Sequence, residues 1–320
     1  MQRYIFTLLA VLACLMGIHL FLFWLQLGVP TESSRWIHES YELKESRARS
    51  IKGRKILVVS GSNALFSISA KDLEDRVGLP TVNCGIHAGL KVEYILERAA
   101  ELVSEDDIVV LPLEYSFYKY DGEISSVLSD YLTSRDTSYL MKNVDKLFSC
   151  AFALSLQDLF LRNFKKYRPD EPQTGYYDAS HLNAYGDKMN TSKSLMSDRE
   201  KAKLASFSAI ELSFDENGVG AKSIRKFMRH CANSGANVLV TFPTTIRFED
   251  YKSEGFTAQI EKIETFVNTN GGRILGKPDD FMHTVDYFFN SNYHANEDGR
   301  SRTTDRLGDL LAQFRDEQGS

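Results

Sequence analysis

The hydrophobic pattern divides the chain into three stretches. From Tyr4 to Val29 it is apolar and uncharged, with only Thr7, His19 and Gln26 as polar interruptions. A helix of that length, at about 1.5 Å per residue, crosses a bilayer core of about 30 Å. Residues 31–53 are polar and charge-rich and predict a partly helical stalk. Beyond them short apolar runs alternate with helical patterns. ILVVS (56–60), PTVNCGI (80–86), IVVLPLEY (108–115), NVLVTFPTT (237–245) and a short run near RILG read as strands. SAKDLEDRVG, LKVEYILERAAELV, SIRKFMRHCANSG, 257–268 and 297–314 have apolar residues at three- and four-residue spacing and read as helices. Strands alternating with helices predict an α/β fold with a mostly parallel sheet covered on both faces, over residues 54–320.

The alternation lapses between about residues 121 and 215, which therefore read as an insertion. Its apolar LFSCAFALSLQDLFL precedes the basic LRNFKKYR. A packing helix is the preferred reading, with a helix on a membrane surface or a lid over the site as the alternative. The glycines and asparagines of GYYDASHLNAYGD predict a loop or hairpin.

Parallel sheets carry their sites at the carboxyl ends of their strands. There the first strand runs into Ser60, Gly61, Ser62 and Asn63. The turn is either punctuation before a helix or a presented nucleophile. A serine nucleophile needs a base within hydrogen-bond reach and donors for the oxyanion. His294, just before a plausible helix cap at Asn296, is the candidate base. Gly85, after the second strand, offers a backbone N–H near the same point.

KILVVSGSNALFSI, PTVNCGIHAGL and FFNSNYHANEDGR resemble the first, second and last blocks of the SGNH (GDSL-like) hydrolases, over residues 54 to 310. The membrane-anchored branch linked to cell-envelope and exopolysaccharide modification is the most similar. The resemblance implies a three-layer SGNH-like fold, Ser62 as nucleophile, Gly85 as oxyanion glycine and His294 as catalytic histidine. It also implies a serine esterase or O-acyltransferase acting on a cell-envelope or extracellular polysaccharide. Acetyl is the favoured acyl group and D-alanyl the other option. The chain departs from the pattern in two places. Asn290 stands where an orienting acid is expected, with Asp286 before the histidine and Asp298 after it as the nearest acids. Strand three ends in Leu113, Glu114 and Tyr115, without the third-block asparagine. Glu114 and Asn63 join Gly85 as oxyanion or substrate-binding candidates. The competing class is an inactive SGNH-fold scaffold or glycan-binding protein in a polysaccharide assembly, favoured by Asn290 and Glu114.

Other features change the picture less. A net charge of −5 gives no reason to expect nucleic acid binding. The four cysteines have no metal-ligand spacing; they permit one disulfide and require none. His181 and Asp187 make a poor metal site, so no metal or cofactor is expected. His87 reads as a packing residue. Tyr115, Phe117, Tyr118 and Tyr120 could stack on a sugar, but core or cap contacts are preferred. The apolar N-terminus lacks a small-residue cleavage site, and its run continues past a lipoprotein-like V-L-A-C ending at Cys14, so residues 1–30 read as a retained anchor. Counting Arg35, Lys44, Arg47 and Arg49 would leave the domain in the cytoplasm, but long domains often translocate regardless of such charge. The expectation is a single-pass protein with an extracytoplasmic domain. Its partners would be an acylated glycan, the membrane and other polysaccharide-assembly proteins.

Overall fold

The computed structural model describes residues 1–164 and 175–319. The chain forms two compact bodies, one of Met1–His38 with Glu123–Thr174 and one of Glu39–Gly122 with Gly175–Ser320.

The second is an α/β body. Strands β1 (Ile56–Val58), β2 (Thr81–Asn83), β3 (Ile108–Pro112), β4 (Asn237–Thr241) and β6 (Arg273–Ile274) form one sheet in the order β2-β1-β3-β4-β6, and every pair in it is parallel. β1, β2 and β3 are buried throughout, which accounts for the near-continuous apolar runs that mark them in the sequence. Small pairs lie outside this sheet: β5 (Thr245–Ile246) with β7 (Met282–His283), and β8 (Phe288–Ser291) with β9 (His294–Ala295). Helices α3 (Ser62–Ser67), α4 (Ala70–Val77), α5 (Lys91–Ala100), α6 (Tyr115–Tyr118), α11 (Asp198–Ala205), α12 (Val219–Asn233), α13 (Glu254–Thr269) and α14 (Glu297–Gly319) complete it. β1 sits between β2 and β3, so the crossovers wind in opposite directions on its two sides, and open α/β sheets carry their sites at the carboxyl edge of such a switch.

The first body contains α1 (Gln2–Gln26), the start of α2 (Glu32–Ser50), α7 (Ser126–Ser134), α8 (Thr137–Lys142), α9 (Val144–Ala153) and α10 (Leu156–Phe164). α1 is long and apolar enough to span a membrane, and its side chains are largely exposed.

Two expected boundaries are corrected. Residues 31–53 are not a stalk, because α2 buries Ile37, Tyr41, Lys44 and Ala48. Lys44 Nζ donates to the carbonyls of Asn83, Gly85 and Gly186 at 2.8, 2.7 and 2.8 Å. Burial lowers its pKa to about 8. The insertion is also not one piece. Glu123–Thr174 belongs with α1, whereas the residues from Gly175 belong to the α/β body. The basic residues 165–168 lie outside the described residues.

Candidate active site

The site begins where β1 stops. Past Val58 the chain reaches Ser60 and Gly61, and Ser62 opens α3. The first N–H groups of a helix have no partner within it, and Gly61, the N-cap, has no side chain to supply one. Glu114, just beyond the neighbouring strand β3, does so. Its Oε1 accepts from the Asn63 N–H at 2.8 Å, and its Oε2 accepts from the Gly61 N–H at 3.1 Å and the Ser60 hydroxyl at 2.7 Å. Burial raises the Glu114 pKa, while these hydrogen bonds oppose the rise. The carboxylate packs so closely that a Cβ on Gly61 would lie 2.4 Å from Glu114 Oε1 and 2.8 Å from Ala88 Cβ. Only glycine fits. Glu114 is therefore a brace beneath the nucleophile turn, in place of the oxyanion or substrate-binding role expected for it.

The histidine arrives on a hairpin. β8 and β9 pair antiparallel with a shifted register, which brings Asn290 and His294 together. Asn296 Oδ1 accepts from the Gly299 N–H at 3.0 Å and caps α14 directly behind them. Ser62 Oγ lies 2.9 Å from His294 Nε2, and His294 Nδ1 lies 2.7 Å from Asn290 Oδ1. With the Asn290 carbonyl oxygen accepting, the imidazole carries its proton on Nδ1 and leaves the Nε2 lone pair for the Ser62 hydroxyl. The phenyl ring of Phe66 stacks on the imidazole at 4.0 Å and 7°. Burial, with the charges of His87 and Lys203, lowers the His294 pKa to about 3, so the ring is neutral at physiological pH.

Asp286 is not part of this constellation. Its carboxylate is exposed and pairs with Lys193 at 2.8 Å. Asp298, in the first turn of α14, is also exposed. The residue in the orienting position is Asn290.

Gly85 and Asn63 likewise serve different ends from those expected. The Gly85 N–H donates to Asn83 Oδ1 at 2.9 Å and so is not directed at Ser62. A Cβ on Gly85 would lie 2.4 Å from the Leu65 backbone N, so this glycine lets the second strand's exit pass against α3. Asn63 is buried and its side chain is fully engaged. Its Nδ2 donates to the Thr244 and Tyr293 carbonyls at 2.8 and 3.0 Å, and its Oδ1 accepts from the Thr244 N–H at 3.2 Å. It ties the nucleophile turn to the loops after β4 and before His294.

The remaining candidates divide between structure and site. Asp187 accepts from the Ala70 and Lys71 N–H groups at 2.6 and 3.1 Å and caps α4, so its oxygens are in structural use. Tyr115, Phe117, Tyr118 and Tyr120 are buried; Tyr115 and Tyr118 pack edge-on against Phe256 and Phe214, as core residues do. His87 lies nearer the chemistry. Its Nδ1 accepts from the Gly89 N–H at 2.9 Å, and its ring lies 5.6 Å from that of the half-buried Tyr177. Tyr177 also meets Phe66 edge-on at 6.1 Å.

Sequence reasoning passed over Phe66, Tyr177 and Lys203. Helical spacing could have found Phe66, because residues four apart share a face and Ser62 opens the helix. Tyr177 and Lys203 carry no such signal, since they come from the 175–215 stretch that broke the alternation. Compared with known proteins, the chain matches no family model and no curated protein.

Proposed function

We propose that this protein is a membrane-anchored serine esterase or O-acyltransferase with Ser62 as nucleophile and His294 as base. The observation that carries the reading is the buried line from Ser62 Oγ to His294 Nε2 at 2.9 Å and from Nδ1 to Asn290 Oδ1 at 2.7 Å. A serine hydroxyl, an imidazole and an orienting acceptor at hydrogen-bond spacing are the parts acyl transfer needs. The side-chain amide holds the ring in the productive tautomer as a carboxylate would, but supplies no charge for the imidazolium.

In this mechanism Nε2 takes the Ser62 proton as Oγ attacks an ester carbonyl. The Ser62 N–H, at the start of α3, faces the developing oxyanion. The alkoxide leaves with the proton from His294. Water or a sugar hydroxyl then attacks the acyl–Ser62 ester, passes its proton to His294 and frees Ser62.

The substrate reading is an acylated glycan of the cell envelope or an extracellular polysaccharide, with acetyl as the acyl group. It rests on the resemblance of the sequence blocks. The half-buried rings of Tyr177 and His87, 5.6 Å apart, suit a partly apolar ligand, whereas Phe66 is fully buried behind His294. For the anchor, α1 supplies the apolar length. Its contacts favour a retained helix over a removed signal sequence: His19 Nε2 lies 2.8 Å from the Ala151 carbonyl, and Asn163 donates to the Leu22 carbonyl at 3.1 Å. We take the domain to be extracytoplasmic, where such polymers are modified.

The second reading, a scaffold or glycan-binding protein, is favoured by Asn290 and the low His294 pKa, because a neutral partner leaves a weak base. One experiment separates the two: p-nitrophenyl acetate hydrolysis and fluorophosphonate labelling of the full chain, beside Ser62→Ala and Asn290→Asp. The enzyme reading expects labelling and turnover that vanish in Ser62→Ala. In Asn290→Asp it expects kcat/KM to rise by about tenfold or more, against the roughly 10⁴ lost when a protease triad acid becomes an amide that also imposes the wrong tautomer. Absence of labelling and turnover in all three forms would favour the scaffold.

A further inference from the structure

The helical body carries large apolar side chains on its outside. Phe148 and Phe152 of α9 and Phe160, Leu161 and Phe164 of α10 are all more than half exposed. The opposite faces pack inward: Cys150, Ala151, Leu154 and Leu159 are buried. Polar contacts also lie on that side, where Ser129 Oγ donates to the Cys150 carbonyl at 2.7 Å and Arg162 pairs with Asp130 at 2.5 Å. Both helices are therefore amphipathic with the apolar face outermost, and a patch of this kind on a water-facing surface is rare.

The contacts with α1 indicate what covers the patch. His19 reaches the Ala151 carbonyl and its ring stacks on Phe152 at 5.6 Å and 6°. Asn163 reaches the Leu22 carbonyl. Trp24, exposed near the end of α1, is the kind of residue that sits at a membrane–water interface. At 1.5 Å per residue, His19 lies roughly 7 Å farther along α1 toward the bilayer centre and Leu22 roughly 3 Å. The side chains of α1 around these levels, among them Ile18, Leu20 and Phe21, are exposed as well. The outward faces of α9 and α10 thus continue the exposed apolar surface of α1. Asp145, Lys146 and Asp158 on the same helices would be costly at the bilayer centre. They fit the headgroup boundary, where amphipathic helices bury their apolar face by about 5–10 Å.

We propose that α9 and α10 are interfacial membrane helices whose apolar faces lie among the lipid chains of the leaflet nearest Trp24. This rests on the reading of α1 as a membrane anchor. The test places p-benzoyl-phenylalanine, one position at a time, at Phe148, Phe160, Leu12 and Lys226 in the full chain, reconstituted in phosphatidylethanolamine–phosphatidylglycerol vesicles. Leu12 reports on the anchor and Lys226, on α12, on a water-facing surface. Phospholipid adducts at 148 and 160 as at 12, with none at 226, support the proposal. Adducts at 12 alone overturn it and leave the anchor standing. Cross-links between copies at 148 and 160 in place of lipid also overturn it, in favour of a dimer. No adduct at any position overturns the anchor and the inference together.

Discussion

Around Ser62 the chain buries polar groups: Ser60, Asn63 and Glu114 are each at most 1% exposed. Along α9 and α10 it leaves Phe148 and Phe164 65% and 71% exposed. Ordinary folding favours the reverse in both places. Burial of the polar turn is tolerated because each group has a partner, with one carboxylate receiving two backbone N–H groups and a hydroxyl. The aromatic side chains of α9 and α10 have no such compensation among the described residues, and the partner we propose for them is lipid. One body satisfies its unusual groups by internal hydrogen bonds; the other leaves its unusual groups exposed.

The contrast can be broken first through pH. The folded pKa of His294 is lowered from 6.5 to about 3, so between these values the unfolded chain binds more protons than the folded one. The stability that depends on a neutral ring is complete above pH 6.5 and is lost as pH falls toward 3. By 1.36 kcal/mol per pKa unit, the wild type should lose about 3 kcal/mol more than His294→Gln between pH 7 and pH 4.5. Denaturant midpoints in detergent measure this, and equal losses in the two forms would remove the buried-base account.

A smaller effect is expected at the brace. Glu114→Gln keeps one oxygen acceptor but sets an amide against N–H donors, which should cost about 2 kcal/mol, the size of a buried hydrogen bond to a charged group. The same denaturant series checks it. A stability unchanged by this substitution would mean that the turn does not depend on the carboxylate. The smallest effect is expected in the helical body, where Phe148→Ser should stay within about 0.5 kcal/mol of wild type in detergent, as exposed positions do. A loss of several kcal/mol there would show that this ring packs against protein.

The α/β body was legible in the sequence because its signals are local. Strands buried on both faces need unbroken apolar runs, as at 56–59 and 108–111, and Ser69 and Gly78 mark the ends of α4 by capping chemistry. Ser62 and His294 could be named from a strand end and the start of a terminal helix, whereas Asn290 was named only through the resemblance of the sequence blocks. Apolar length alone also marked α1 as a helix able to span a membrane. Tertiary structure decided the rest. It assigned Asn290 rather than Asp286 to the imidazole, because a shifted hairpin register sets which side chain faces the ring. It turned Glu114 into a brace, because hydrogen-bond partners on strands more than fifty residues apart leave no local signature, and it committed the Gly85 N–H to the side chain of Asn83 two residues earlier. It also made the polar 31–53 segment a packed helix and divided the 121–215 insertion between two bodies. A helical period shows that a face is apolar, but only packing shows whether protein or the surroundings will cover it.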